Sequence, residues 1–270
     1  MTAAAGPITA IVLAGQRAEG DPLAESQAMT WKSLVPVAGQ AMIERVLLAL
    51  LSSPSIGQIA VSAPVSDLLA AIPSLQAPLA RGRILIMPTE AGPAASTAAA
   101  WKRLGQPCPT LVTTADHALL TAELVERFCR EAAAGDADIH AALVPASQIR
   151  AAFPEARRTY LCFRGEAYSG ANLFFLASPE AAKAIRFWQG VEQDRKRPWR
   201  IARRIGPATL LRYLLRRLSL EAALARVSQV AGARGGAIIL TEAWAAVDVD
   251  KAADLELAEQ ILAERAGSTR

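Results

Sequence analysis

The chain has 270 residues, 52% of them hydrophobic and 20% charged, enough to bury one large core, and no break in composition asks for a second. Aromatic residues make up only 5%, so the apolar content is mainly Ala, Leu, Ile and Val, as in helices packed on a largely parallel sheet buried on both faces. The net charge of +4 sits in one segment, since residues 183–217 hold eleven basic and two acidic side chains; the remainder is mildly acidic, which argues against a nucleic-acid partner. Cys108, Cys129 and Cys162 stand far apart, without the spacing of a metal site or a disulfide framework. Residues 1–7 lack an export signal and no apolar run is long enough to span a bilayer, so the chain is expected in the cytoplasm.

In chain order, residues 8–14 read as a buried strand that runs into Gly15 and a long polar loop reaching Trp31. Met42, Val46, Leu47 and Leu50 predict a helix over 41–51, ended by Ser52, Ser53 and Pro54. Then come a strand over 58–63, a helix near 66–71, a strand over 83–87, a helix over 94–104 and a strand over 110–114 that delivers Asp116. A helix over 122–133 with Thr121 as its cap leads to strands over 139–145, 160–163 and 172–176, and to a basic helical insertion at about 183–230. A last strand near 245–249 and a helix over 251–266 close the chain. This alternation predicts a single Rossmann-like α/β domain over 1–270, with three α/β/α layers, a mostly parallel sheet, and ligands bound at the carboxyl ends of the strands.

Three clusters at those ends carry chemical potential. In the first, Leu13, Ala14 and Gly15 let the backbone approach a phosphate or base closely, and Arg17 and Lys32 offer charge to a triphosphate. The alternative is a surface loop with solvated charges. In the second, Asp116 is a carboxylate at a strand end, suited to Mg²⁺, which takes one or two carboxylates and fills its shell with phosphate oxygens and water; the alternative is that Asp116 caps the helix beginning near Thr121, although Thr121 is itself the better cap. The third is Val247-Asp248-Val249-Asp250; in an extended run both acids share a face, so either can serve, and Asp250 or Asp254 can instead cap the final helix.

The order of these clusters resembles the nucleotidyltransferase superfamily that includes molybdenum-cofactor guanylyltransferase and the sugar-1-phosphate uridylyltransferases. Its signature is Leu-Ala-Gly-Gly after the first strand, an Arg, Pro-Lys-x-Leu with a downstream Gly, a strand ending in a metal-binding Asp, and a closing Asp-x-Asp segment. Leu13, Ala14, Gly15, Lys32, Leu34, Gly39, Asp116 and Asp250 match. Gln16 replaces the second glycine, the loop to Lys32 is longer, Trp31 replaces the proline, and Ala118 stands where Pro often follows the Asp. The resemblance implies a GT-A-type fold and an Mg²⁺-dependent transfer of a nucleoside monophosphate from a nucleoside triphosphate to a phosphorylated acceptor. In that reading Lys32, Asp116 and Asp250 are catalytic, Asp116 and Asp250 hold the metal, and Leu13, Ala14, Gly15, Arg17, Lys32 and Ser96 bind the nucleotide. Ser96 lies in Glu90-Ala91-Gly92-Pro93-Ala94-Ala95-Ser96, which is similar to a base-contact segment. Gly170 and Asn172 lie in Tyr168-Ser169-Gly170-Ala171-Asn172, similar to an acceptor-side segment. Each is equally consistent with a plain cap or turn.

Residues 195–218 combine Arg203, Arg204, Arg212, Arg216 and Arg217 with Leu211, Leu214, Leu215 and Leu218 at helical spacing. Such a segment suits peripheral contact with an anionic membrane on its inner face, or a lipid-phosphate acceptor; the alternative is an ordinary insertion with leucines packed on the sheet. A dinucleotide-dependent oxidoreductase is disfavoured, because the G-x-G-x-x-G turn and the acid after the second strand are missing. The competing reading is an inactive nucleotide-binding or membrane-associated regulator.

Overall fold

The computed structural model describes residues 7–16, 20–194 and 203–268. The basic run 195–202 and Arg17 lie outside them.

The core is one mixed sheet built from β1 (Ile8–Leu13), β4 (Ile56–Ala63), β5 (Ile84–Pro88), β6 (Thr110–Thr114), β7 (Ile139–Pro145), β9 (Ala167–Leu176) and β10 (Gly235–Ile239), in the order β10-β7-β9-β6-β1-β4-β5. A short β8 (Leu161–Cys162) pairs with β9, and β2 (Pro36–Val37) with β3 (Gln40–Ala41) forms a separate small ribbon. All pairings along the main order are parallel except those of β9, which runs antiparallel between β6 and β7.

Alternation along β1 shows how the layers arise. Ile8, Ala10, Val12 and Ala14 belong to one buried cluster, with Ile43, Val46, Leu47 and Leu50 of α2 (Met42–Leu51), Leu124, Val125, Phe128, Cys129 and Ala132 of α5 (Ala122–Ala134), and Ile149 of α6 (Ala146–Ala152). Ile11 and Leu13 belong to another, with Ala100 and Trp101 of α4 (Pro93–Arg103) and Ala181 and Ile185 of α7 (Ala181–Gln193). Opposite sides of a pleated strand therefore face different helical layers, which yields the three-layer arrangement read from the sequence.

A third buried cluster lies beyond the sheet. It joins Leu23 and Ala24 of α1 (Pro22–Ser26), Val35, Val37, Met42, Ala118 and Leu119 to Val247, Val249, and Leu255, Ala258 and Ile261 of α10 (Ala252–Ser268). Three segments remote in sequence, around residues 35, 118 and 248, thus share one apolar foundation.

Several elements differ from the periodic reading. The strand expected near 245–249 is a 3-10 turn (Ala243–Ala246) followed by an extended run outside the sheet. Its backbone is tied instead to the loop after β6, through the Val249 N–H donating to the Asp116 carbonyl at 3.0 Å. The expected helix near 66–71 is a run of turns, and the helix forms at α3 (Pro73–Ala80), where Pro73 favours a helix start. Strand β10, absent from the sequence reading, opens on Gly235 and Gly236, which carry no β signal of their own. Within the insertion, the described residues form most of α7, then α8 (Pro207–Leu214) and α9 (Leu220–Ala231).

Candidate active site

Parallel strands β1 and β6 end together, with Leu13 opposite Thr114, so the loops that follow them leave the same edge of the sheet. Leu13 and Ala14 are buried, and they offer backbone rather than side chain: the Ala115 N–H donates to the Leu13 carbonyl at 2.9 Å, and the Ala14 N–H to that of Ser62 at 2.9 Å. Gly15 is exposed, and a Cβ there would meet only Thr89 Cγ2, at 3.7 Å. Its lack of a side chain is therefore not demanded by protein packing and leaves backbone open at the strand end.

Lys32 opens a 3-10 turn (Lys32–Leu34) whose backbone is stapled across the long loop. Gln16 does this with both ends of its amide: Oε1 accepts from the Lys32 N–H at 2.7 Å and Nε2 donates to the Thr30 carbonyl at 3.0 Å. The residue standing where the superfamily has its second glycine thus positions the lysine. Neither composition nor spacing exposes that role, because it depends on a contact across the folded loop.

The Lys32 ammonium lies between two carboxylates, 2.9 Å from Asp116 Oδ2 and in a short contact with Asp250 Oδ1. Burial alone would lower its pKa, but the charges of Asp116 and Asp250 and their hydrogen bonds outweigh this, and the net shift is upward. Lys32 is a fixed positive charge in the neutral range. Thr114 Oγ1 donates to the other Asp116 oxygen, Oδ1, at 2.6 Å and holds the carboxylate's rotation.

Both alternative roles for these acids go to neighbours. Helix α5 is capped by Thr121, whose Oγ1 accepts from the Leu124 N–H at 3.2 Å, so Asp116 is not needed there. At the start of α10, Asp254 Oδ2 accepts from the N–H groups of Asp250 and Lys251 at 3.2 and 3.1 Å, and the Asp250 side chain is left to Lys32. The two acids of Val247-Asp248-Val249-Asp250 also separate. With Val247 and Val249 fully buried, Asp248 and Asp250 both point away from the apolar cluster. Asp250 meets Lys32, whereas Asp248 makes a short ion pair with Arg158.

Arg158, which sequence reasoning did not single out, also lies 3.1 Å from Asp254 and donates to the Asp248 carbonyl at 3.2 Å; its side chain is 7% exposed. A buried guanidinium thus grips the residues on both sides of Asp250. Asp248 has its pKa raised by burial, with Arg158 opposing and the nearby Asp250 and Asp116 adding to the rise. The only sequence signal was an arginine pair, Arg157 and Arg158, in a loop without periodicity. His117 beside Asp116 is fully buried and pushed down to about 4, mainly by that burial, so the ring is neutral near neutrality.

The remaining expected residues fall in two places. Ser96 is buried in α4, and its Oγ accepts from the Glu90 N–H at 2.9 Å, so it shapes its own loop. The first turn of α4 meets the Glu192 carboxylate, which accepts from the Ala94 N–H at 3.2 and 3.3 Å. Gly170 and Asn172 lie in the part of β9 beyond its last pairing with β6, Leu173 with Thr113, and so at the same sheet edge as Asp116. There the β7 register jumps, Ala141 facing Phe174 but Leu143 facing Gly170, and Asn172 adopts φ 50°. Gly170 has open space where a Cβ would stand.

Comparison with known proteins bears on the family and the fold. Residues 10–204 match the family described as the MobA-like NTP transferase domain. A hypothetical transferase from Thermus thermophilus is 31% identical, with a TM-score of 0.76, over 92% of this chain and 99% of that one. Two further structures share the fold at 12% identity. A CMP-2-keto-3-deoxy-manno-octonic acid synthetase complexed with CTP has a TM-score of 0.57 over 96% of this chain and 99% of that one. The 4-diphosphocytidyl-2C-methyl-D-erythritol synthase from Anaerococcus prevotii has a TM-score of 0.56 over 96% of each chain. No curated protein matches by sequence. With the family matched over most of its length and a close structural relative over nearly all of it, the chain belongs to the family of MobA-like NTP transferase domains.

Proposed function

We propose that this protein is a nucleotidyltransferase that moves a nucleoside monophosphate from a nucleoside triphosphate to a phosphorylated acceptor, either a small molecule or a lipid phosphate. The observation that carries the reading is the convergence of Lys32, Asp116 and Asp250, from three remote segments, at the carboxyl edge of the sheet. An acceptor phosphate oxygen attacks the α-phosphorus, a new P–O bond forms, the bond to the β-phosphate bridging oxygen breaks, and pyrophosphate leaves. Such a transfer depends on positioning and charge balance and needs no covalent enzyme intermediate.

The donor set fits Mg²⁺. Two hard carboxylates reach a single point that a cation, the Lys32 ammonium, already occupies, and a magnesium ion takes one or two such carboxylates beside phosphate oxygens. Asp116 and Asp250 would hold it, and when bound it supplies charge neutralisation at the phosphates. Lys32, kept protonated, pairs with phosphate charge, and the open backbone at Gly15 admits the triphosphate. On the acceptor side, the second substrate is assigned to Gly170 and Asn172, a reading supported by their position on the bulged part of β9 at the same sheet edge as Asp116. Ser96 contributes to the nucleotide side by fixing the Glu90 loop, and Arg17 by its charge.

Pyrophosphate release with Mg²⁺ from CTP, GTP, UTP and ATP, each against a panel of sugar, polyol and lipid phosphates, tests the proposal, with Asp116→Ala alongside. One productive pair, reduced to background in the variant, is the expected result. Thermal shift provides a second readout, since Mg²⁺ with nucleotide should raise the melting temperature of the wild type more than that of Asp116→Ala. Nucleotide binding without pyrophosphate release from any pair would overturn the transferase reading in favour of a binding protein.

A further inference from the structure

Helix α8 turns its apolar face outward. Leu210, Leu211, Leu214 and Leu215 are exposed by 36%, 57%, 67% and 56%, and at a helical advance of about 100° per residue they share one sector of roughly 140°. A packed amphipathic helix does the reverse and buries its leucines. Here the helix is held by its other side. The Tyr213 hydroxyl accepts from the Cys162 N–H at 3.3 Å, the Tyr213 ring lies 5.8 Å from that of Phe163, and the carbonyl of buried Leu218 accepts from the Arg164 N–H at 2.8 Å. The leucines are thus presented from a fixed platform on β8, where Leu161 is itself 46% exposed.

The same surface is cationic. Arg204 is paired with Asp194 at 3.1 Å, but Arg212, Arg216 and Arg217 are exposed beside the leucines, and residues 205–217 contain no acid. Arg216 holds φ 54°, a left-handed conformation at a helix end where glycine is favoured, so its side chain is kept at some conformational expense.

We propose that α8 is a docking surface for an anionic lipid bilayer, with the leucines seated among the headgroups and the three arginines against lipid phosphates. Charge selects this occupant over a second copy of the chain, because a self-paired α8 would bring two sets of Arg212, Arg216 and Arg217 together, with no acid in 205–217 to offset them. Shape selects it over a peptide, because a convex helix face offers no groove, whereas a bilayer accepts a convex apolar ridge. The docking surface does not depend on the transfer chemistry. If both hold, docking brings the membrane to the strand pair in which Leu161 faces Tyr168, two residues before Gly170.

The test is co-sedimentation of the full chain with phosphatidylcholine vesicles that contain or lack phosphatidylglycerol. Binding should require the anionic lipid, weaken with salt, and resist competition by excess inorganic phosphate, which separates a bilayer from a simple phosphate site. Combined Arg212→Gln, Arg216→Gln and Arg217→Gln should weaken binding about a hundredfold, at roughly fivefold per positive charge removed. Combined Leu211→Gln, Leu214→Gln and Leu215→Gln should leave the melting temperature unchanged, because these side chains are exposed, yet weaken binding at least ~tenfold. Failure to sediment at low salt, or undiminished binding by the leucine variant, overturns the proposal. So does a dimer in sedimentation velocity that the leucine variant abolishes, which would assign the face to a second copy.

Discussion

Arg158 shows how much of the site's order is supplied by groups that need never touch a substrate. Its guanidinium holds Asp248 and Asp254, and Asp254 in turn fixes the backbone of Asp250, so the direction of one candidate metal ligand depends on a buried arginine about ninety residues away. Arg158→Met leaves two carboxylates without their counter-charge and should destabilise the protein by about 3 kcal/mol. It should also weaken the apparent affinity for Mg²⁺ by about ten- to a hundredfold, read from a metal titration of turnover. Arg158→Lys keeps the charge and should recover stability more fully than metal affinity, since one ammonium cannot match the planar fork. Equal recovery of both would show that only charge matters there. The two acids that meet Lys32 were legible as residues, Asp116 by its strand and Asp250 by its motif. Their guide was not, because an arginine in an aperiodic loop has no local signature.

Strand β9 carries the acceptor-side candidates on a distortion. Between Ala141 and Leu143 of β7, four residues of β9 are spanned instead of two, and Asn172 takes up the extra length in the left-handed region. Asparagine tolerates that conformation and valine does not. Asn172→Val should therefore lower stability by about 1–2 kcal/mol. Asn172→Gly should leave the fold intact and raise the KM for the acceptor alone, if the side chain contacts it. Unchanged kinetics in the glycine variant would reduce Asn172 to a backbone device. From the sequence this segment reads as a strand beginning at 172, because its first half, Tyr168-Ser169-Gly170-Ala171, looks like a turn. The antiparallel insertion of β9 between two parallel neighbours is likewise invisible to periodicity, which records the face of a strand but not its direction.

Beyond the site, the sheet's far edge is sensitive to acid. Asp138 accepts from the Arg234 N–H at 2.7 Å and from Ser178 Oγ at 2.9 Å, and lies 3.2 Å from the Arg234 guanidinium, which ties the starts of β7 and β10 to the end of β9. Burial would raise its pKa, but the hydrogen bonds from Arg234 and Ser178 outweigh this and hold it below the usual carboxylate value. Nearby His140 is also lowered, chiefly by burial. For both groups the folded-state pKa lies below the unfolded one, so the unfolded chain binds more protons and stability falls with falling pH. The loss should begin below about pH 6.5 through His140 and continue below about pH 4 through Asp138. Melting temperatures measured from pH 8 to pH 3 should show this fall, and Asp138→Asn should flatten its lower part; a slope unchanged in the variant would relieve Asp138 of the role.

The family and the layered fold were determined by the sequence alone, because the alternation of buried strands and amphipathic helices, and the order of Leu13-Ala14-Gly15, Lys32, Asp116 and Asp250, are local patterns that survive without coordinates. Tertiary structure alone decided which of two same-face acids meets Lys32, that Asp254 rather than Asp250 caps the final helix, that Gln16 and Arg158 brace the site, and that the leucines of α8 face outward. Each of these depends on a contact between segments distant in the chain, and periodicity reports that a helix has an apolar face without saying what, if anything, covers it.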